Sequence, residues 1–408
     1  MKCGLLGYPL DHSYSPQIHN LLGNYSYQLF SVESHDLDTF FKNADFAGIN
    51  VTSPYKKSVV QYCHELTPAA QTVGSVNTII RRADGKLIGH NTDYFGFTSM
   101  VERSGLQPAH KKCLVLGSGG ASVTAVAVLK EMGANVVVIS RTGENHYGNL
   151  HLHKDASIIC NTTPVGMYPD TGISPIDLKL FPNLEGVLDM IYNPTRTQLL
   201  QDAANLGLIH MNGLWMLVAQ AKEAAEWFLG HKLPDSFIEE VYRKMHQQME
   251  NIILIGMPGS GKTTVGKQLA HQLGKQFIDA DEELEKTYGQ SIPDIFAIEG
   301  ESGFRQKETF ILKELGKRSE LIIATGGGCI TQEQNYSLLH QNGTIFCLER
   351  ALDLLPTDGR PLSQSNRLAD LYAIRKPLYD RFADHIIDNN GSVKESVQQI
   401  IRKLEESE

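Results

Sequence analysis

Long apolar runs are the first thing missing from this chain of 408 residues. Nothing in it approaches the roughly 18 consecutive apolar residues that cross a bilayer as a helix, so no membrane partner is expected. The opening MKCGLLGYPLDHSYS lacks an apolar core of signal-peptide length, and the expectation is a protein that stays in the cytoplasm. Paired cysteines are missing too. Cys3, Cys63, Cys113, Cys160, Cys329 and Cys347 form no C-x-x-C pair and no ligand cluster, which argues against a disulfide framework or a zinc site. Positive charge is short: 37 Lys and Arg stand against 46 Asp and Glu, a net −9 with no basic stripe, so no nucleic acid is expected. Low-complexity tracts and repeats are also absent. What remains, 41% apolar and 20% charged, describes a globular protein of two or three domains.

The firmest positive signal is IILIGMPGSGKTT, residues 252–264. Four aliphatic residues run into Gly256, and Gly256, Gly261, Lys262 and Thr263 then follow the spacing G-x-x-x-x-G-K-[ST]. That pattern is a strand entering a phosphate-binding loop and a helix. Glycines are required because backbone N–H groups must turn inward around phosphate oxygens, where a Cβ would obstruct them. Lys262 reaches the terminal phosphates and the Thr263 hydroxyl reaches Mg²⁺.

From the start, residues 2–7 read as a short strand and a helix begins near Pro16, with Ser13 and Ser15 at its mouth, where hydroxyls and free N–H groups can hold an anion or merely cap the helix. Strand 47–51 runs into Asn50-Val51-Thr52-Ser53-Pro54-Tyr55-Lys56, where Pro54 stops the ladder and throws Lys56 into a loop. Asn77 and Asn91-Thr92-Asp93 add amides, hydroxyls and a carboxylate at strand ends, a set suited to a small polyhydroxylated substrate.

Next, strand 112–116 meets Gly117-Ser118-Gly119-Gly120-Ala121-Ser122, a dinucleotide-binding turn with serine in the third glycine's place. The following strand, 135–139, ends in Ser140-Arg141-Thr142. With no acidic residue there to hold a ribose, Arg141 can pair with a 2′-phosphate, which favours NADP over NAD. Further strands fall at 158–161 and 187–190, and a long helix from Gly213 carries Gln220. A second helix, 236–249, runs almost directly into the strand at Ile252, a fixed or helical join with no loose tether.

The motifs SYSP, NVTSPYK, VNT, NTD, GSGGAS, SRT, NTTPVGM, DMIYNP and GLWMLVAQA, in that order over residues 2–245, resemble the shikimate dehydrogenases. The resemblance implies NADPH-dependent reduction of 3-dehydroshikimate to shikimate, with Lys56 and Asp93 as the catalytic pair. Ser13, Ser15, Thr52, Lys56, Asn77, Asp93, Tyr192 and Gln220 would hold the substrate. Gly117, Ser118, Gly119, Gly120, Ala121, Ser140, Arg141, Thr142, Met190 and Gly213 would hold NADP. The residue types agree, since ketone reduction needs a donor aimed at the oxygen that gains alkoxide charge, and Lys56 steadied by Asp93 supplies one. Segment 143–157 is shorter than the family's, so a reduced helix is expected there.

After the phosphate loop, strand 276–278 ends in Asp279-Ala280-Asp281, where one carboxylate can orient Mg²⁺ water and the other can accept a hydroxyl proton; an acidic cap on helix 282–288 is the plainer alternative. Arg305 lies on a helix, Gly326-Gly327-Gly328 follows strand 321–325, and Arg360 and Arg375 add cations. GMPGSGKTT, FIDAD, GFRQKE, ATGGG, GRPL and RKPLYDRFAD together resemble the shikimate kinases over residues 250–408. That resemblance implies ATP on Gly259, Ser260, Gly261, Lys262, Thr263 and Thr264, with Arg360 over the phosphates and Thr263 and Asp279 serving Mg²⁺. Lys262 and Asp281 would be catalytic. Asp281, Arg305, Gly327 and Arg375 would hold shikimate, the arginines on its carboxylate. Segment 350–359 is compressed relative to the family.

The expected fold class is therefore α/β throughout: a substrate domain at 1–98 with helices of about 217–247, a Rossmann NADP domain at 99–216, and a P-loop kinase domain with a central parallel sheet at 250–408. The expected activity is a bifunctional enzyme with small-molecule partners only. A quinate-type, NAD-using dehydrogenase fused to another hydroxy-acid kinase is a rival against which Arg141 and the two serines weigh. A ligand-sensing regulator without chemistry is a second, opposed by Lys56, Asp93, Lys262 and Asp281.

Overall fold

The computed structural model describes residues 1–10, 13–355 and 365–406. Arg360 and the GRPL segment around it lie outside the described residues. The chain divides into two compact units. The first holds Met1–Met167, Ile173–Tyr192 and Gln198–Met245, and the second holds His246–Glu408 with the short pieces Tyr168–Gly172 and Asn193–Thr197.

The described residues of the first unit form two sheets. One is mixed, in the spatial order Ser26–Ser31, Lys2–Gly7, Gly48–Val51, Thr78–Arg81, Leu87–His90, Glu65–Leu66. The hairpin Thr78–Arg81 to Leu87–His90 is antiparallel, as the Asp84-Gly85 turn requires. The other sheet is parallel, in the order Ile209–Met211, Gly186–Asp189, Ile158–Asn161, Lys112–Leu116, Asn135–Ile139. Its three central strands, Gly186–Asp189, Ile158–Asn161 and Lys112–Leu116, are short, nearly fully buried runs, the pattern of a parallel sheet covered on both faces. Between Asn135–Ile139 and Ile158–Asn161 the usual crossover helix is reduced to a 3₁₀ segment, Tyr147–His153. The expectation of a shortened helix holds. His146 opens the segment, its ring nitrogen accepting from Gly148 N while its own N–H donates to Asn149.

The described residues of the second unit form one parallel sheet, ordered Gln276–Asp279, Leu321–Ala324, Asn251–Ile255, Gly343–Glu349, His385–Asp388. In its central strand Ile253 and Ile255 face one apolar layer, Ile252 and Leu254 the other, all at most 1% exposed. Burying each such side chain contributes about 1.5–3 kcal/mol, which is why four aliphatics in a row make a central strand rather than an edge. The site-bearing residues follow the carboxyl ends of these strands, where open α/β sheets form their crevices.

Most sequence-derived bounds fall within two residues of the observed ones. The helix expected at 282–288 instead begins at Ala280. Asp279 is its N-cap, accepting from Asp281 N at 3.1 Å. Asp281 therefore sits in the first turn of a helix and not on a strand end.

Candidate active sites

In the first unit the loop after Gly48–Val51 is fixed before it reaches Lys56. The Tyr55 hydroxyl donates to Val32 O at 2.6 Å, and Val76 N donates to Lys56 O at 2.8 Å. Asp93 stands in the first turn of the helix Thr92–Ser104, whose N-cap Asn91 is anchored on Ser75. The result is a Lys56 Nζ to Asp93 Oδ2 hydrogen bond of 2.6 Å between half-buried side chains.

This pair opens on a cavity of about 540 Å³. Ser13, Ser15, Thr52, Lys56, Asn77, Asp93, Tyr192 and Gln220 all line it, so the eight expected substrate residues meet in one place. Ala121, Met190 and Gly213, expected on the nucleotide side, line the same cavity. Gly213 has no room for a side chain, since a Cβ would lie 2.1 Å from Met190 O. Burial pushes the Tyr192 hydroxyl above its ordinary range, keeping it a neutral donor.

Beneath the cavity floor runs a polar network that sequence reasoning missed. Thr92, fully buried, accepts from Asn77 Nδ2 at 3.0 Å and donates to Gln220 Oε1 at 3.1 Å, while its backbone N–H donates to Asn77 Oδ1 at 2.7 Å. The Gln220 amide donates to Leu217 O, and Asn50 links Tyr27 to Thr78. The Asn77 and Gln220 amides are thereby each held through both oxygen and nitrogen, and each nitrogen keeps a second N–H beyond its bond to protein. The signal lay inside the motifs VNT and NTD, as hydroxyls beside the residues chosen.

The nucleotide side of this unit fits a dinucleotide. Gly117 has φ +104, and the helix Gly120–Glu131 starts directly behind the turn. A Cβ on Gly119 or Gly120 would meet nothing within 4 Å, so the helix N-terminus faces open space where a pyrophosphate can sit. Ser118 and Arg141 are exposed, and the Ser140 hydroxyl is held by Thr142 O. Arg141 is thus available to a 2′-phosphate at the end of its strand.

In the second unit Gly256, Gly259 and Gly261 take φ +144, +84 and +92, the left-handed conformations the phosphate loop needs. Lys262 is buried and folds its ammonium onto Gly256 O and Met257 O at 3.0 and 3.1 Å. The Thr263 hydroxyl donates to Asp279 Oδ2 at 2.8 Å. Asp279 is thus both the helix cap weighed from the sequence and a partner of the loop threonine. These two hard oxygens fit Mg²⁺, which takes one or two protein oxygens and completes its shell with phosphates and water. Thr264 follows on the same helix, Lys262–Leu273.

The triple glycine explains how the rest converges, because each position admits a neighbour a side chain would exclude. A Cβ on Gly326 would lie 2.8 Å from Asp281 Oδ1 and 2.6 Å from Glu308 Oε1; on Gly327, 2.8 Å from Pro258 of the phosphate loop; on Gly328, 2.2 Å from Arg305 Nη2. The Gly327 carbonyl accepts from Arg375 Nη1 at 3.0 Å and from the Tyr379 hydroxyl. Asp281, Arg305, Gly327 and Arg375 are therefore neighbours. Burial, then the Asp279 charge, raises the Asp281 carboxyl above its ordinary range. Glu308, missed from the sequence, receives Arg305 Nη1 at 2.6 Å, and burial pushes its carboxyl up to about 7. Its spacing of three from Arg305 on a helix was a readable clue.

Comparison with known proteins gives two family matches: the shikimate dehydrogenase substrate binding domain over residues 5–79 and shikimate kinase over residues 258–405. The chain is 35% identical over 264 residues to a shikimate dehydrogenase (NADP⁺) of Clostridium perfringens, covering 59% of this chain and 97% of that protein. A Methanococcus maripaludis shikimate dehydrogenase (NADP⁺) is 37% identical over 264 residues, 58% and 93%. Among solved structures, shikimate 5-dehydrogenase from Thermus thermophilus in complex with NADP(H) and shikimate matches with a TM-score of 0.55 at 30% identity, covering 60% of this chain and 99% of that one. A chorismate mutase/shikimate 5-dehydrogenase fusion from Clostridium acetobutylicum matches at 0.57 and 33% identity, 60% and 97%.

Proposed function

The chain belongs to the shikimate dehydrogenase family and carries a shikimate kinase domain behind it, and from that premise we propose two successive reactions on one polypeptide. The first unit reduces 3-dehydroshikimate to shikimate, and the second phosphorylates shikimate to shikimate 3-phosphate. NADPH supplies the hydride in the first, and MgATP supplies the phosphoryl group in the second. The observation that carries the reading is the convergence of eight polar side chains on one cavity around the 2.6 Å Lys56–Asp93 pair.

In this reading Lys56 gives a proton to the oxygen that gains charge as the ketone is reduced, and Asp93 keeps the ammonium aimed. Ser13 and Ser15 take the substrate carboxylate; Thr52, Asn77, Tyr192 and Gln220 take hydroxyls. Gly117–Ala121 and Ser140–Thr142 hold the dinucleotide. In the second unit Asp281 accepts the proton of the attacking hydroxyl, its raised basicity suited to that task. Arg305 and Arg375 clamp the carboxylate, Lys262 neutralises phosphate charge, and Thr263 with Asp279 serves Mg²⁺. We divide the chain at 1–98 with about 217–247, 99–216, and 250–408. We place the enzyme in the cytoplasm, where six free thiols, five of them buried, stay reduced. A one-pot assay with 3-dehydroshikimate, NADPH and MgATP tests the whole reading. Shikimate 3-phosphate should appear only when both cofactors are present; its absence with active controls sinks the proposal.

A further inference from the structure

Arg350 directly follows the strand Gly343–Glu349. Its guanidinium lies beside the phosphate loop, with Nη1 3.8 Å from the point a Cβ on Gly261 would occupy. Its Nε is buried without a hydrogen-bond partner, and among the described residues no carboxylate forms an ion pair with it. An unsatisfied donor on a charged group is costly, so a native structure that keeps one there calls for an explanation.

Two neighbouring asparagines make the placement firm. Asn389 donates from Nδ2 to Ser260 O and accepts from Ser396 Oγ, tying the phosphate loop to the end of the last strand. Asn390 Oδ1 accepts from Ala351 N at 2.7 Å, fixing the backbone immediately after Arg350. The backbone that carries the arginine and the phosphate loop therefore share one frame. Lys262 approaches the loop from its other end, on the carbonyls of Gly256 and Met257. A cation beside Gly261, at the N-terminus of the helix Lys262–Leu273, stands where anion binding is already favoured by free N–H groups and the helix dipole.

We propose that Arg350 is a nucleotide-binding residue of the kinase unit, setting its planar guanidinium against the phosphate chain of the bound nucleotide from the Gly261 side. The chemistry is that of a nucleoside di- or triphosphate, because a planar fork of donors matches phosphate oxygens and nothing anionic in the described protein claims it. This rests on the reading of the loop as the ATP site.

The test uses the full chain with Arg350→Gln and Arg350→Lys. Calorimetric titration with MgADP reads the contact directly, and the KM values for MgATP and shikimate read it in turnover. Losing one charge-assisted contact should weaken MgADP binding about 10- to 100-fold in Arg350→Gln and raise the KM for MgATP in parallel. Arg350→Lys should fall between, and the KM for shikimate and the rate of NADPH-dependent reduction should stay at the parent value. MgADP affinity unchanged in Arg350→Gln overturns the inference. So does a joint rise of both KM values with a lowered Tm, which would make Arg350 a support for the strand end. A parent protein that binds MgADP through Arg350 but phosphorylates no shikimate would overturn the kinase reading alone.

Discussion

The two sites solve different electrostatic problems, and their hydrogen bonds differ accordingly. In the dehydrogenase unit one cation meets one anion, Lys56 with Asp93, and the amides beneath are locked by Thr92. No polar atom of the eight cavity residues is left buried without a partner. In the kinase unit Lys262, Arg305, Arg375 and Arg350 converge with Asp279, Asp281 and Glu308, and Ser260 Oγ, Glu308 Oε1 and Arg350 Nε are buried and unpartnered. A site for a carboxylate-bearing ketone, with no metal and no phosphoryl group at the reacting atoms, can have its polar groups satisfied within the protein. A site for a polyphosphate, a metal and a carboxylate has to hold like charges close together and leave donors uncommitted.

The largest effects should come from breaking each site at its own lysine. Lys56→Ala should cut reduction by about 10²–10⁴ and leave phosphorylation intact, and Lys262→Ala should do the reverse. Initial rates of both reactions on each variant measure this. Loss of both activities from either change would end the picture of two independent sites. Asp281→Asn comes next, lowering kcat for phosphorylation by about 10²–10³ with little change in the KM for MgATP. A change confined to KM would show that Asp281 only binds. Thr92→Val should be milder, since the backbone bond to Asn77 survives. Losing the hydroxyl frees two amides, and kcat/KM for 3-dehydroshikimate should fall about 10-fold, one hydrogen bond's worth. The KM for NADPH should hold, and Thr92→Ser should restore most of the loss. If serine fails to rescue, Thr92 matters for packing rather than for aiming.

What could be read from the sequence divides along the same physical line. Residues whose chemistry depends on local spacing were legible: the phosphate loop, the dinucleotide turn and Arg141 at a strand end are each written within about ten residues. Lys56 and Asp93 lie 37 positions apart, and only the family's pattern joined them before the structure set them 2.6 Å from one another. Thr92 and Glu308 were missed because neither announces a role alone. Thr92 acquires one by standing between Asn77 and Gln220, which is 128 residues away in the chain. Glu308 acquires one through burial against Asp281 beneath a glycine. The helix beginning at Ala280 shows the opposite error. Asp281 was placed at the end of strand 276–278, with a helix start only as the alternative, whereas the Asp279 side chain caps a helix that already includes it.

The smallest expected effect is also the one that bears most closely on the contrast between the sites. Glu308 is nearly fully buried, with its carboxyl held up to about 7 chiefly by burial, against the pull of Arg305 and with a push from Asp281. A carboxylate substrate arriving on Arg305 adds another negative charge nearby and raises that value further. Binding then takes up a proton over the interval between the free and bound values, so affinity is greatest when Glu308 is already neutral and declines as pH rises through 7. The KM for shikimate in the kinase reaction should rise several-fold between about pH 6 and 8, at most tenfold per pH unit for a single proton. Glu308→Gln, neutral at every pH and still able to accept from Arg305, should flatten that dependence. The KM for 3-dehydroshikimate in the same chain, which Glu308→Gln should leave unchanged at every pH, serves as the internal reference. If the rise persists in Glu308→Gln, the titrating group is another one. If the parent shows no rise, Arg305 and Glu308 do not share the substrate's charge, and the kinase site is as self-contained as its neighbour.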